Sequence, residues 1–226
     1  MFELDLSYKF PIEKLPKEFD GACISVKITP EDHIPNIILP ESVNSKIFLK
    51  KIILDVTLTN FSRANIPSKI TQLRKNYDII SIFALPSQLM TISKYNFDLI
   101  EFDFDEILHF KQKELNDILR TKYMEIKLKQ SNTLNFMRNL KKINGFVNKE
   151  RVLFSSGANI LNELKSIDEI NCIVKCFGFK KNTKVDDFLK ETAKKNFIIN
   201  GVVVEDGKTN IYKELFVLKE LRDKFK

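Results

Sequence analysis

Ser155-Ser156-Gly157 follows the apolar run Val152-Leu153-Phe154, and a serine at the C-terminal end of a barrel strand stands where a nucleophile could act. A serine nucleophile also needs a base and an oxyanion hole. The chain has neither a G-x-S-x-G elbow nor a histidine placed to serve it. A tight turn whose hydroxyls bond the backbone is the better reading. Glu101, Asp103, Asp105 and Glu106 could form a metal-binding carboxylate mouth, but Asp103 and Glu106 also have the spacing of a capping box, and acids in a first turn suit the helix dipole. Cys172 and Cys176 lie four apart with no second ligand pair, which predicts buried apolar thiols in place of a zinc site. His33 and His109 are isolated, so neither a metal nor a cofactor is expected.

The basic residues carry a stronger signal. Between Arg120 and Arg151 stand nine of them, Arg120, Lys122, Lys127, Lys129, Arg138, Lys141, Lys142, Lys149 and Arg151, against Glu125 and Glu150. That excess of seven equals the formal charge of the whole chain, +7, whereas residues 1–60 are slightly acidic. A localised excess is the footprint of a polyanion-binding face, although a solvated lysine-rich surface would read the same way. On a helix over 132–143, Phe136, Leu140 and Ile143 share one face and Arg138 and Lys142 the opposite one, so core contact and phosphate contact are compatible.

With 226 residues, 43% of them hydrophobic, the chain can bury one sizeable core. No apolar run approaches the roughly 18 residues of a membrane span. Met1 to Asp5 is acidic where a secretory signal is basic, which predicts a soluble protein that is not secreted. Three cysteines without paired spacing suit a reducing compartment.

The elements that must position these residues alternate. Strands are predicted at 2–6, 22–28, 47–56, 79–85, 98–103, 123–128 and 151–156. A stunted helix ends near Phe19, and Pro30, Pro35 and Pro40 make a long loop. Helices are predicted from Pro67 to Asn76, from Pro86 to Tyr95, from Phe104 to Arg120, over 132–143, from Ser166 to Phe177 and from Thr183 to Asn196. Ser166 and Glu169 form a capping box, Ile170, Ile173, Val174 and Phe177 keep helical spacing, and Gly178 supplies the left-handed stop. The order predicts an α/β, TIM-barrel-like fold of about seven parallel strands, one short of the ideal barrel. Residues 1–200 form that domain, and 201–226 an extension with a Val-Val-Val run, an Asp206-Gly207 turn and a terminal helix.

Arg151 to Phe179 resembles the barrel-forming protein subunit of nuclear and archaeal ribonuclease P, shared with ribonuclease MRP. The likeness rests on a strand ending in Ser155-Ser156-Gly157-Ala158, then Lys165-Ser166-Ile167-Asp168-Glu169-Ile170, and a close in Phe177-Gly178-Phe179. Lys165 and Ile167 replace the family's usual arginine and proline. Tyr77-Asp78-Ile79-Ile80-Ser81-Ile82-Phe83 is similar to its fourth strand, Phe97-Asp98-Leu99-Ile100 to its fifth, and Met124-Glu125-Ile126 to its sixth, with Glu125 on the family's glutamate. Asn135 falls on the family's asparagine, whereas the first helix and the basic insertion before Asn135 are shortened.

The resemblance implies a noncatalytic, RNA-binding subunit that supports 5′ maturation of precursor tRNA by a catalytic RNA, in the nucleus and nucleolus. Implied partners are the ribonuclease P RNA, and that of MRP, precursor tRNA indirectly, a small RRM-like subunit and other proteins of the complex, with no membrane. The nine basic residues above and Lys165 would meet RNA. The alternatives are a divergent metal-dependent phosphoesterase of the polymerase-and-histidinol-phosphatase barrel class, which would need an H-x-H on a first strand that reads Phe2-Glu3-Leu4-Asp5-Leu6, and a barrel-shaped interaction module without RNA.

Overall fold

A computed structural model of the chain describes residues 2–39, 46–130, 133–179 and 185–192. Seven strands, β1 (Phe2–Ser7), β2 (Gly21–Ile28), β3 (Ile47–Asp55), β4 (Ile79–Phe83), β5 (Leu99–Glu101), β6 (Tyr123–Lys127) and β7 (Val152–Ser155), pair in sequence order. Every pairing is parallel. Between the later strands lie α1 (Ile66–Arg74), α2 (Leu89–Ile92), α3 (Gln112–Ile118) and α4 (Leu134–Asn144), and α5 (Ile167–Cys176) follows β7. The sheet curls into a nearly closed, TIM-barrel-like α/β fold, as the alternation of elements predicts. Its seam is a single bridge between Leu6 and Ala158, where Ser7 N donates to Ala158 O at 2.9 Å.

Period-two alternation sorts each strand between two environments. Ile52, Leu54, Ile80, Ile82, Ile100, Met124, Ile126 and Phe154 belong to the main core, with Ile70, Leu115, Phe136, Leu140 and Val174 from the helices. Phe2, Leu4, Cys23, Leu49, Ile79, Leu99, Tyr123 and Leu153 form a second core near the strand starts, shared with Val185, Phe188 and Leu189 of the helical stretch 185–192. One step of two residues further along, the second set turns polar: Ser25, Lys51, Ser81, Glu101, Glu125 and Ser155 are all buried. In β1 the register against β2 slips between Glu3 and Leu6, a bulge that lets Phe2, Leu4 and Asp5 all serve the barrel interior.

Several expectations change. The helix expected from Phe104 to Arg120 is only α3, because the first part is a loop held by other groups. Asp103 Oδ1 accepts Asp105 N at 3.0 Å, so Asp103 makes a local turn instead of a capping box. Asn139 of α4 donates to Phe104 O at 3.0 Å and Glu106 O at 2.7 Å and accepts from Leu108 N at 3.3 Å, giving that loop partners a helix would have supplied internally. The helix expected from Pro86 shrinks to a 3-10 turn at Pro86–Gln88 and the single turn α2.

Cys172 and Cys176 are exposed, not buried: α5 packs through Ile170 and Val174, and residues two further on face away. The Ser166–Glu169 capping box is present, and Gly178 has φ 76°. The helix expected from Thr183 to Asn196 is present over 185–192, and both its ends and all of 201–226 lie outside the described residues.

Candidate functional site

α4 begins where Thr133 Oγ1 accepts Phe136 N at 3.1 Å. Its apolar stripe buries Phe136, Leu140 and Ile143 completely, which turns Arg138, Lys141 and Lys142 outward as exposed side chains. Lys142 Nζ also donates to Leu108 O at 3.3 Å, which fixes the stem of that charge. Lys149 is exposed, donates to Gly178 O at 3.0 Å and stands 5.7 Å from the Phe179 ring. Arg120 pairs with Asp117 at 3.4 Å and Lys129 with Glu163 at 3.2 Å, both near the surface. Lys122 lies 5.1 Å over Phe97, and Lys165 is half-buried.

Two of the basic candidates go elsewhere. Arg151 pairs with Glu191 at 2.7 Å and stacks 4.5 Å over Tyr123, tying the 185–192 stretch to the base of the barrel. Lys127 enters the barrel and binds Asp5 Oδ2 at 2.7 Å and Glu101 Oε2 at 2.8 Å. Glu125 and the Ser155-Ser156-Gly157 turn belong to the same interior. Ser156 N and Oγ donate to the two oxygens of Glu3 at 3.0 and 2.9 Å, and Ser156 Oγ accepts Lys165 N at 3.0 Å. Ser155 Oγ is buried without a hydrogen-bond partner. Gly157 has φ 65°, and a Cβ there would lie 3.0 Å from Lys127 Cβ, so glycine leaves room for that lysine stem. Asn135 donates to Asp105 O at 2.8 Å and stabilises the loop before α3.

Lys51 is fully buried at the centre of this interior, with its ammonium against Glu125, Glu101 at 3.1 Å and Asp5 at 3.4 Å. Two ammonium groups therefore face three carboxylates. Burial would raise Asp5 and Glu101, but Lys127 and Lys51 overcome it and hold both carboxyls low. Burial would lower the two lysines, and the carboxylates hold both above the usual range. Glu125 is the carboxylate in excess: burial pushes it up to about 8 against the pull of Lys51. Burial likewise pushes Glu3 up to about 7 despite its hydrogen bonds from Ser156 and Asp5.

Glu101, weighed with Asp103 as an alternative metal-binding mouth, makes an ion pair, and Asp103 makes a turn. Among the described residues no group of three or more His, Cys, Asp and Glu is arranged to hold a metal ion. Sequence reasoning missed Glu3, Asp5 and Lys51. The signal was available in register: Lys51, Glu101 and Glu125 each stand two places after a buried apolar residue of the second core, Lys127 two places after Glu125, and the β1 bulge shifts the count for Asp5.

No protein-family model matches the chain, and no curated protein does. Solved structures do. One is a chain of archaeal ribonuclease P, seen by cryo-electron microscopy with mature tRNA. It shares 14% identity with this chain at a TM-score of 0.57, and the match spans 92% of this chain and 97% of that one. A likeness at that identity establishes the shared fold.

Proposed function

We propose that this protein is a noncatalytic subunit of a ribonuclease P ribonucleoprotein, and that it binds the RNA component through the outer face of α4. The observation that carries the reading is the end-to-end match to a ribonuclease P chain; Arg138, Lys141 and Lys142 then supply outward charge on a helix whose opposite face is core. Arg120, Lys122 and Lys149 precede β6 and β7 while Lys129 and Lys165 follow them, so these five fall at opposite ends of the barrel and are further candidates for RNA contact, whereas Lys127 and Arg151 serve the fold through ion pairs. Such contacts go mainly to phosphates, which position an RNA without reading its sequence. Support for 5′ maturation of precursor tRNA, a parallel role in ribonuclease MRP, a small RRM-like protein partner and a nuclear, nucleolar location belong to the same proposal.

The test is Arg138→Ala/Lys141→Ala/Lys142→Ala against the RNA that copurifies with the wild-type protein. Affinity should fall, and the slope of log affinity against log salt should flatten by about 2–3 units, because each phosphate contact that forms releases something under one counterion and three such contacts are lost. Unchanged affinity and slope would sink the assignment to α4, and copurifying RNA with no relation to ribonuclease P would sink the complex.

A further inference from the structure

The outer face of α4 is not charged along its whole length. Its outward stripe runs through Leu134, Arg138 and Lys141 at i, i+4 and i+7, with Met137 and Lys142 on the two flanks. Leu134 is 61% exposed and Met137 45%, and the charges follow in the second half of the helix. A third apolar side chain comes from the loop after β5. Ile107 is 69% exposed, and both of its neighbours are tied to α4: Glu106 O accepts Asn139 Nδ2 at 2.7 Å, while Leu108 gives its N to Asn139 Oδ1 at 3.3 Å and its O accepts Lys142 Nζ at 3.3 Å. Asp105 O accepts Asn135 Nδ2 at 2.8 Å and its carboxylate accepts Thr133 Oγ1, so the loop is clamped along the helix from the N-cap onward.

A face that met only phosphates would be polar throughout, whereas this one carries three exposed apolar side chains beside its cations. The charge narrows what covers them. Arg138, Lys141 and Lys142 stand against one exposed acid of the clamped stretch 105–108, Glu106, so a second copy of this chain would bring like charge against like, while RNA brings phosphates. Paired RNA keeps its base faces stacked inside the helix and shows 2′-hydroxyls, phosphates and base edges. An unpaired nucleotide offers a flat base face, with a phosphate on either side of it.

We propose that this surface takes RNA where a paired stem meets an unpaired nucleotide, with phosphates on Arg138, Lys141 and Lys142 and the unstacked base lying on Ile107, Leu134 and Met137. The proposal rests on the assignment of RNA to α4 and adds the class of RNA that fits there. Covering these side chains with a base supplies affinity without hydrogen bonds to its edges, so the preference is for an unpaired base and not for a particular one.

The experiment measures binding of the full chain to two RNA duplexes with the same number of nucleotides, one blunt and fully paired and one with a bulge of three adenosines. Equal charge keeps the counterion contribution alike. Wild type should bind the bulged duplex about 10-fold more tightly, the effect of covering about 60 Å² of apolar surface. Ile107→Ser/Leu134→Ser/Met137→Ser should bind both duplexes as wild type binds the paired one, with an unchanged thermal transition, because all three side chains are exposed. Leu134→Met/Met137→Leu keeps the apolar surface and should keep the preference. Arg138→Ala/Lys141→Ala/Lys142→Ala should weaken both duplexes by a similar factor. Equal binding of the two duplexes by wild type overturns the proposal and leaves the patch to a protein partner. A preference that survives the serine changes, or that is lost in the Leu–Met exchange, overturns it as well. In each of these cases RNA still binds and its assignment to α4 stands, whereas a wild type that binds neither duplex overturns both.

Discussion

Glu125 shows what a single surplus carboxylate does to a buried charge cluster. Asp5 and Glu101 each touch both ammonium groups, whereas Glu125 touches Lys51 alone, so it is the group that holds a proton most readily, up to about 8. In the unfolded chain a glutamate ionises near about 4.3. Between those values the folded state keeps a proton that the unfolded state has released. The stability contributed by protonated Glu125 is therefore complete below the unfolded value and is lost as pH rises through about 8. Glu3 acts in the same direction but is spent near pH 7, and the depressed Asp5 and Glu101 act only in acid. From pH 7 to 8 the wild type should lose about 1 kcal/mol that Glu125→Gln does not lose. Urea midpoints at the two pH values measure it, and parallel losses in both proteins would show that another group titrates.

At the scale of elements, short-range chemistry was legible and long-range satisfaction was not. All seven strands, the loop with Pro30 and Pro35, and the start of α5 follow from alternation, prolines and the Ser166–Glu169 spacing, each a matter of residues within a turn of one another. The loop over 104–111 was misread as helix because its backbone partners come from Asn139, more than 30 residues away in sequence. Cys172 and Cys176 were misread because thiols are usually buried, while the stripe through Ile170 and Val174 faces the core and leaves them outside. The outward charge of α4 was readable from one helical period, but the interior cluster depends on the register among six strands and on a bulge in β1. Where the local signal is complete its energy can be stated. Ser166 Oγ accepts Glu169 N at 3.2 Å and Glu169 Oε2 accepts Ser166 N at 2.7 Å, on a surface with little else to compensate. Ser166→Ala should cost about 0.5–2 kcal/mol by thermal or urea unfolding. A loss below that range would mean that packing of Ile170 and Val174 alone sets the start of α5.

For the whole molecule the decisive place is the seam. A parallel sheet that closes on itself leaves no edge strand, but here, among the described residues, β1 meets the chain just past β7 through one bridge, Leu6 to Ala158, and Glu3 reinforces the closure: its carboxylate takes Ser156 N and Ser156 Oγ from across the gap and Asp5 N from its own strand. Ser156 Oγ in turn accepts Lys165 N, so the same carboxylate fixes the approach to α5. The pairs from β2 to β7 are continuous ladders, from three aligned residues between β4 and β5 to eight between β2 and β3. A barrel with one weak joint opens there first, because local opening costs only the contacts that span the joint. Glu3→Ala leaves Ser156 N buried without its acceptor, a loss of about 1–3 kcal/mol. Hydrogen exchange should then speed up by about 10- to 100-fold at Ser156, Ser7 and Lys165, while the amides shared by β2 and β3 slow the exchange nearly as well as before. If those inner amides accelerate by the same factor, β1 and β7 do not part separately, and the barrel unfolds as one unit in spite of its seam.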